Sequence, residues 1–483
     1  MTPKEQDAFF KSDKSDWYSE TDDGVRIWNQ NIVKHFWDMI LIHKINNNDF
    51  NFNGFVFPTF SRSEENKLLQ GDSHYERIFG ANGLAIKEKV NFKNCRFLGN
   101  AFFLGNFLPA QHLKVHDIHY LQDLIFDGCI FENEFRLSAV KIMGNLSFNN
   151  CGFLAEFSSM VSVVVQKTNY SECTFHNKFD YFANTHKGTT DFSSNIFIGD
   201  ATFAKCFYEE NYNLSGKGFT STSTFFENTY MKRSVFAALT FEDKIRISDE
   251  NFKNCLFQGV YFRAKHNILE GIKTGEDGLF IFQDIIFPVT TVFRQCDCRN
   301  IKFTDSDIVD VKFSSCQWKK TDRLILKDEP KNQETNISQI ESLEELYRQL
   351  KKNFDNHKNW ELSGMAYISE MEMRKIGLWK ERKLFQWFIY WFYGFFGGYT
   401  QDIRKPMLSL AVLFLGCSIA YFFIDFDIIN AMERGVEGSL PYLEIKEDEP
   451  FPDYWLLLKN VQFILSSIFL SFFVLALRKI FKQ

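Results

Sequence analysis

Residues Thr291 to Trp318 read TVFRQCDCRNIKFTDSDIVDVKFSSCQW, and their large side chains fall five apart, at Phe293, Cys298, Phe303, Ile308, Phe313 and Trp318. That period matches neither an α-helix, at about 3.6, nor a strand, at about 2. Two positions before each large residue stands a smaller one, at Thr291, Cys296, Ile301, Ser306, Val311 and Cys316. In extended chain these two positions share one face. Two positions after come Gln295, Asn300, Asp305, Asp310 and Ser315, mostly residue types that favour tight corners. Each unit is therefore a short extended side with an inward pair, closed by a corner. A chain of such units must wind around an axis, with coils about 4.8 Å apart.

The same grammar runs through the preceding residues as aromatic, two residues, Cys, one residue, aromatic. It occurs at Phe92/Cys95/Phe97, Phe126/Cys129/Phe131, Phe148/Cys151/Phe153, Tyr170/Cys173/Phe175, Phe203/Cys206/Tyr208 and Phe252/Cys255/Phe257. The corner slot holds Asn94, Gly99, Gly128, Asn133, Asn150, Asn177, Gly199, Asn254, Gly259 and Asp284. Phe126, Phe148, Tyr170 and Phe192 follow one another at 22 residues, which predicts four sides per coil plus a small corner insertion.

On these residues the sequence resembles the pentapeptide-repeat family over roughly Asn51 to Trp318. The resemblance implies a right-handed, four-sided β-helix, with a central Leu or Phe and a small residue two before it. Segments Pro58–Val90, Leu108–Leu121, Glu209–Ser223 and Ala264–Gly278 lose the five-residue step and read as loops leaving the coil.

Composition agrees with such a tube: 57 of 483 residues are Phe and only 9 are Pro. Each buried ring contributes about 1.5–3 kcal/mol, and stacked coils repeat the contact. Eight of the ten cysteines, Cys95, Cys129, Cys151, Cys173, Cys206, Cys255, Cys296 and Cys316, occupy the small inward slot. They read as a packing ladder together with Phe293, Phe303 and Phe313, since paired CxxC spacing for zinc is missing. Free buried thiols suit a reducing compartment. A net charge of −6 gives no argument for a nucleic-acid partner.

Outside the repeats the chain changes character. The first residues are charged and lack the apolar core of a secretory signal. Val25, Trp28, Ile32, Phe36, Met39 and Ile40 keep helical spacing and predict a cap over the open first coil, within residues 1–48. The β-helix is assigned to 49–320, and 321–383 reads as a polar linker followed by a helical hairpin, or neck. There Ile337, Ile340, Leu343, Leu346, Tyr347, Leu350 and Phe354 form one stripe, Ser338 and Glu341 suggest a capping box, and Met365, Ile368 and Met371 mark a second helix. The aromatic run LFQWFIYWFYGFFGGY, within 384–403, predicts an interfacial helix. Its GGY at Gly397 does not match the filter pattern of potassium channels.

Residues 404–483 read as a membrane hairpin with spans at about 407–424 and 454–477. Gly416 and Ala420 form a small-xxx-small pair suited to close helix approach. Nine acids between Asp425 and Asp453 face only Arg434 and Lys446, and this stretch reads as a loop around Pro441. Basic residues flank the two spans on their outer sides, from Lys380 to Lys405 and from Arg478 to Lys482, which predicts a cytoplasmic β-helix and C-terminus.

The second span carries Lys459, Asn460, Gln462, Ser466, Ser467 and Ser471 within one half of its circumference. Polar groups in hydrocarbon seek protein or water, so this half is either a pore lining in a homo-oligomer or a packing face. No enzyme constellation, cofactor motif or metal motif emerges. His112, His116 and His119 with Asp117 and Asp123 form the nearest metal candidate, in an irregular insertion. Gly216–Lys217 and Gly271–Gly278 lack the rest of a phosphate loop. The expectation is a binding or sensing module on a membrane hairpin, contacting lipid and an unidentified protein or small molecule. Its layout is similar to bacterial pentapeptide-repeat membrane proteins, which implies an inner-membrane location. The alternatives are a membrane scaffold without a pore, or the DNA-mimicking, topoisomerase-protecting role that the family resemblance also allows.

Overall fold

The computed structural model describes residues 2–59, 86–104, 120–248, 250–330, 336–439 and 453–482. The chain divides into two compact units, Met1–Trp318 and Lys319–Gln483.

The first unit is a four-sided solenoid of parallel coils. One coil comprises strands Leu124–Asp127, Ile130–Phe131, Phe135–Ser138 and Lys141–Ile142, and the next repeats them at Leu146–Asn149, Gly152–Phe153, Phe157–Met160 and Val163–Val164. Leu124 pairs with Leu146, Leu146 with Thr168, Thr168 with Thr190 and Thr190 with Tyr212, each in parallel. Stacking of identical slots aligns the rings: Phe126 and Phe148 lie 4.6 Å apart, Phe148 and Tyr170 4.9 Å, Tyr170 and Phe192 4.7 Å. A second column, Phe131, Phe153 and Phe175, repeats at 4.6 and 4.8 Å. Such offset pairs add about 0.5–1.5 kcal/mol each beyond the area that they bury.

The 22-residue coil is two half-coils of 11. Left-handed corners fall at Ala139, Asn150, Val161, Glu172, Ala183, Ser194, Lys205, Gly216, Glu227 and Ala238, with φ between 48° and 57° at the non-glycine positions. They account for Asn94, Gly128, Asn150, Gly259 and Asp284 among the predicted corner residues. Gly99 and Gly199 belong to the other kind of corner, which stacks tightly on the coil below. A Cβ on Gly199 would meet the Asn177 carbonyl carbon at 2.4 Å. In the opening stretch the five-residue step is pure, and Phe293 accordingly pairs with Phe313 at a spacing of 20.

The cysteine slot points inward as expected. Cys151 and Cys255 are each 2 % exposed, and all ten thiols are free. The Cys151 thiol donates to Phe126 O of the coil below at 3.6 Å. Asn195 replaces cysteine in the same column, donates to Tyr170 O at 2.9 Å and accepts from Cys173 N at 2.8 Å. Cys316 and Phe313 are half-buried, while Trp318 is buried and Phe303 and Phe313 remain neighbours at 6.2 Å.

Two of the expected loops are parts of the coil. Glu209–Ser223 contains strands Tyr212–Ser215 and Gly218–Phe219 in register with Thr190–Ser193 and Ile196–Phe197. Lys217 sits in the inward slot but is exposed, because Gly216 (φ 104°) and Gly218 (φ 139°) turn it out where an L side chain would be strained. Ala264–Gly278 likewise carries strand His266–Glu270, and only a register shift after Thr274 marks the insertion. The other two loops fall mostly on residues 60–85 and 105–119, outside the described residues, as do His112, His116, Asp117 and His119.

The first coil is capped by two helices. α1 (Pro3–Lys11) was not expected; its Phe10 stacks on Phe55 at 4.7 Å. α2 (Gln30–His43) starts later than its predicted stripe and buries Val33, Phe36, Trp37 and Ile40, with Trp37 over Phe57 at 6.1 Å. Val25 lies in the turn region of a small hairpin, Tyr18–Glu20 with Arg26–Trp28, so Val25 and Trp28 precede the helix.

The second unit is helical. α3 (Ile337–Asn356) and α4 (Trp360–Lys380) form the predicted hairpin, but its capping box is Asn336 with Gln339, two residues before Ser338 and Glu341. The supposed polar linker packs onto them: Leu324 and Leu326 are buried, and Leu326 N donates to the Tyr347 hydroxyl at 2.9 Å. The aromatic run is α5 (Leu384–Gly397), capped by left-handed Gly398. The GGY motif is thus a helix end, with Tyr399 donating to Glu372 at 2.9 Å.

α6 (Arg404–Asp425), α7 (Ile428–Ser439) and α8 (Asp453–Lys482) complete the chain. Windows Arg404–Phe423 and Leu456–Lys479 are long and apolar enough to cross a membrane, and only 22 % of each is buried, unlike a soluble core helix. The chain is thus a membrane-anchored β-solenoid. Two crossings put the residues before α6 and after α8 on one side.

Candidate functional site

The polar half of α8 meets a helix that the sequence reading took for loop. Asp427 accepts from Ile429 N at 2.9 Å and starts α7, which then folds back along α6 and α8. α7 presents small residues to them: Ala431, Gly435, Gly438 and Ser439 are buried. A Cβ on Gly435 would stand 2.1 Å from Ser418 Oγ, and one on Gly438 2.4 Å from Gln462 Oε1, so any larger residue must shift these side chains.

The last carbonyls of a helix have no partner within it. Here α8 supplies the donors. Gln462 Nε2 donates to Gly435 O at 2.9 Å and to Ser439 Oγ at 2.8 Å, while Ser466 Oγ donates to Gly438 O at 3.2 Å. Tyr421 of α6 donates to Gln462 Oε1 at 2.9 Å, so every polar atom of that amide is used. Gln462, Ser466 and Tyr421 are fully buried. Lys459 forms an ion pair with Glu437 at 2.7 Å. The cluster locks three helices together at a depth where each unsatisfied carbonyl costs several kcal/mol.

The predicted face therefore divides. Lys459, Gln462 and Ser466 hold α7. Asn460 is exposed, and Ser467 and Ser471 donate to their own helix at Phe463 O and Ser467 O, each at 2.8 Å. Gly416 is exposed with open space where a Cβ would stand, and Ala420 is half-buried; α6 approaches its neighbours through Cys417, Ser418 and Tyr421 instead. Tyr421, Glu437 and Ser439 were not foreseen. The signal was Asp427 ahead of Ile428, an N-cap before an amphipathic stretch with glycines three apart.

A second buried polar group lies in the solenoid. His186, 1 % exposed, holds its Nδ1 2.8 Å from Thr168 Oγ1 and its Nε2 2.9 Å from the Tyr181 hydroxyl. Burial pushes its pKa down to about 3, so the imidazole is neutral, one nitrogen donating and the other accepting. Asp123, the described member of the metal candidate, accepts from Asn145 N and Nδ2, both at 2.9 Å. Among the described residues no group of three His, Cys, Asp or Glu side chains converges on a metal-sized site. No family model, curated protein or solved structure matches this chain.

Proposed function

We propose that this chain is a pentapeptide-repeat scaffold, held to a membrane by its C-terminal hairpin, whose β-helix binds a protein partner on the cytoplasmic side and carries no catalytic site. The observation that carries this reading is the cluster at Gln462 and Ser466, which satisfies the buried polar groups of α8 inside one chain and makes the hairpin a self-contained anchor. The five-residue grammar and 22-residue register support the family, and the basic flanks support the orientation. An outward apolar patch supports a protein partner. Tyr261, Ile286 and Val289 are 61, 78 and 73 % exposed, and the stacked rings of Phe262 and Phe287 place Tyr261 and Ile286 on successive coils.

The test uses full-length protein in membranes. An impermeant maleimide should label Glu433→Cys from outside and Lys352→Cys only after permeabilisation. A photo-crosslinker near Tyr261 should capture a partner that Tyr261→Lys/Ile286→Lys loses. Reversed labelling, or crosslinks indifferent to those changes, sinks the reading. A second reading, a homo-oligomeric pore, is favoured by Asn460, Ser471 and Gly416, which α7 leaves uncovered. It requires ion flux in liposomes that Ser471→Leu abolishes.

A further inference from the structure

Between α4, α5 and α8 lies a cavity of about 870 Å³, within the range of small-ligand sites. Its walls are apolar and aromatic: Tyr367 from α4, Phe388 and Tyr393 from α5, Leu465 and Phe472 from the middle of α8. α5 is fixed there by Phe396 on Phe469 at 5.1 Å and Tyr393 on Phe472 at 5.3 Å, so the cavity opens beside a membrane span.

Its rim is cationic. Arg374 lines the cavity and lies 5.3 Å over the Tyr390 ring. Lys351 and Lys479 lie 4.3 and 5.8 Å from the ring centre of Tyr367. The nearby carboxylates also have closer partners, although Glu344 acts electrostatically on Arg374 and Asp355 on Lys479. Arg348 takes Glu370 at 3.1 Å and Glu344 at 2.7 Å, and Asp355 accepts from Ser363 at 2.5 Å. Among the described residues, Arg374 and Lys351 form no ion pair with a carboxylate.

An apolar slot beside a membrane span, with Arg374 in its lining and Lys351 and Lys479 over the Tyr367 ring of its wall, suits an occupant with an apolar tail and an anionic head. We propose that the cavity holds an anionic phospholipid of the bilayer, an acyl chain between α5 and α8 and the phosphate at Arg374 and Lys351. This rests on the membrane reading above. It goes beyond it by making α4, which precedes the spans, a sensor of lipid charge.

The experiment reconstitutes the full chain in nanodiscs of phosphatidylcholine with or without phosphatidylglycerol, then counts retained lipids by native mass spectrometry. Wild type is expected to keep one phosphatidylglycerol per chain, at least tenfold over phosphatidylcholine. Lys351→Gln/Arg374→Gln should erase that preference, and Leu465→Trp, which fills the slot, should lower retention of both lipids. Circular dichroism confirms that each variant is folded. Equal retention of the two lipids by wild type, or unchanged preference in the double variant, overturns the proposal while leaving membrane anchoring intact. Recovery of the chain from the soluble fraction overturns both.

Discussion

His186 occupies a slot held by Ile142, Val164 and Tyr208 in neighbouring coils, and its neutrality has a measurable consequence. An unfolded histidine titrates near about 6.5, whereas the buried one is pushed down to about 3. Between these values the unfolded chain binds the extra proton, so stability is fully present above about pH 6.5 and falls as pH drops. One proton gives a slope of up to about 1.4 kcal/mol per pH unit. Chemical denaturation between pH 7 and 5 should show that slope in wild type and lose it in His186→Gln, which can still bond Thr168 or Tyr181. An unchanged slope would place the acid sensitivity elsewhere. At the alkaline end the sign reverses. Burial pushes the Cys206 thiol up to about 12, so stability should fall as pH rises above about 9, and Cys206→Ala should soften that fall. These inward identities were legible because each position faces a fixed neighbour in the coil below. The exchange of cysteine for Asn195, or of an apolar side chain for His186, was not, since a polar side chain is admitted only where a carbonyl in the coil below or a hydroxyl on a neighbouring side can pair with it.

α7 shows why one element escaped the sequence reading. Its buried face is made of Ala431, Gly435, Gly438 and Ser439, and small residues do not register as an apolar stripe. Glu433, Arg434 and Glu437 made the same stretch look like solvated loop. Close packing against Ser418 and Gln462 is what these glycines specify, and the fit has no slack. Gly435→Leu must displace α7, because even a methyl group there meets Ser418 Oγ. Loss of the two Gln462 bonds and the Ser466 bond, at about 0.5–1.5 kcal/mol each, should lower stability in detergent by about 1.5–4.5 kcal/mol. It should also make a cysteine at position 439 react faster with a water-soluble maleimide. Gly416→Leu is the contrasting case. It points into open space, so a monomer should not feel it, and a fall in cross-linked dimer would show that a second copy uses this face.

On the scale of the molecule, a solenoid is a one-dimensional stack in which each coil needs only its two neighbours. The reading of Thr291–Trp318 reached this architecture because every inward slot repeats the same physical demand. It failed at Glu209–Ser223, where flanking glycines carry Lys217 outward while Tyr212, Leu214 and Phe219 keep the core continuous. The repeat is therefore set by ring columns and corner geometry rather than by the cysteine signature, and this can be tested by removing chain. Deleting residues 157–178 joins Glu156 to Phe179, the residue that now stacks on Phe157 at 4.9 Å. The new neighbours are Phe135 and Phe179, which keep the same side, the same inward pair and the same corner. The shortened protein should fold, partition into membranes like wild type and unfold cooperatively. Deleting 11 residues, 157–167, brings Thr168 to the place of Phe157 and shifts every later strand to the opposite side of the tube. Deleting 21 residues turns each following side chain inside out. Both should be recovered as aggregate or degraded. If the 11-residue deletion folded as well as the 22-residue one, the two half-coils would be interchangeable, and the distinct sides described by the Phe126 and Phe135 columns would not be needed to hold the tube together.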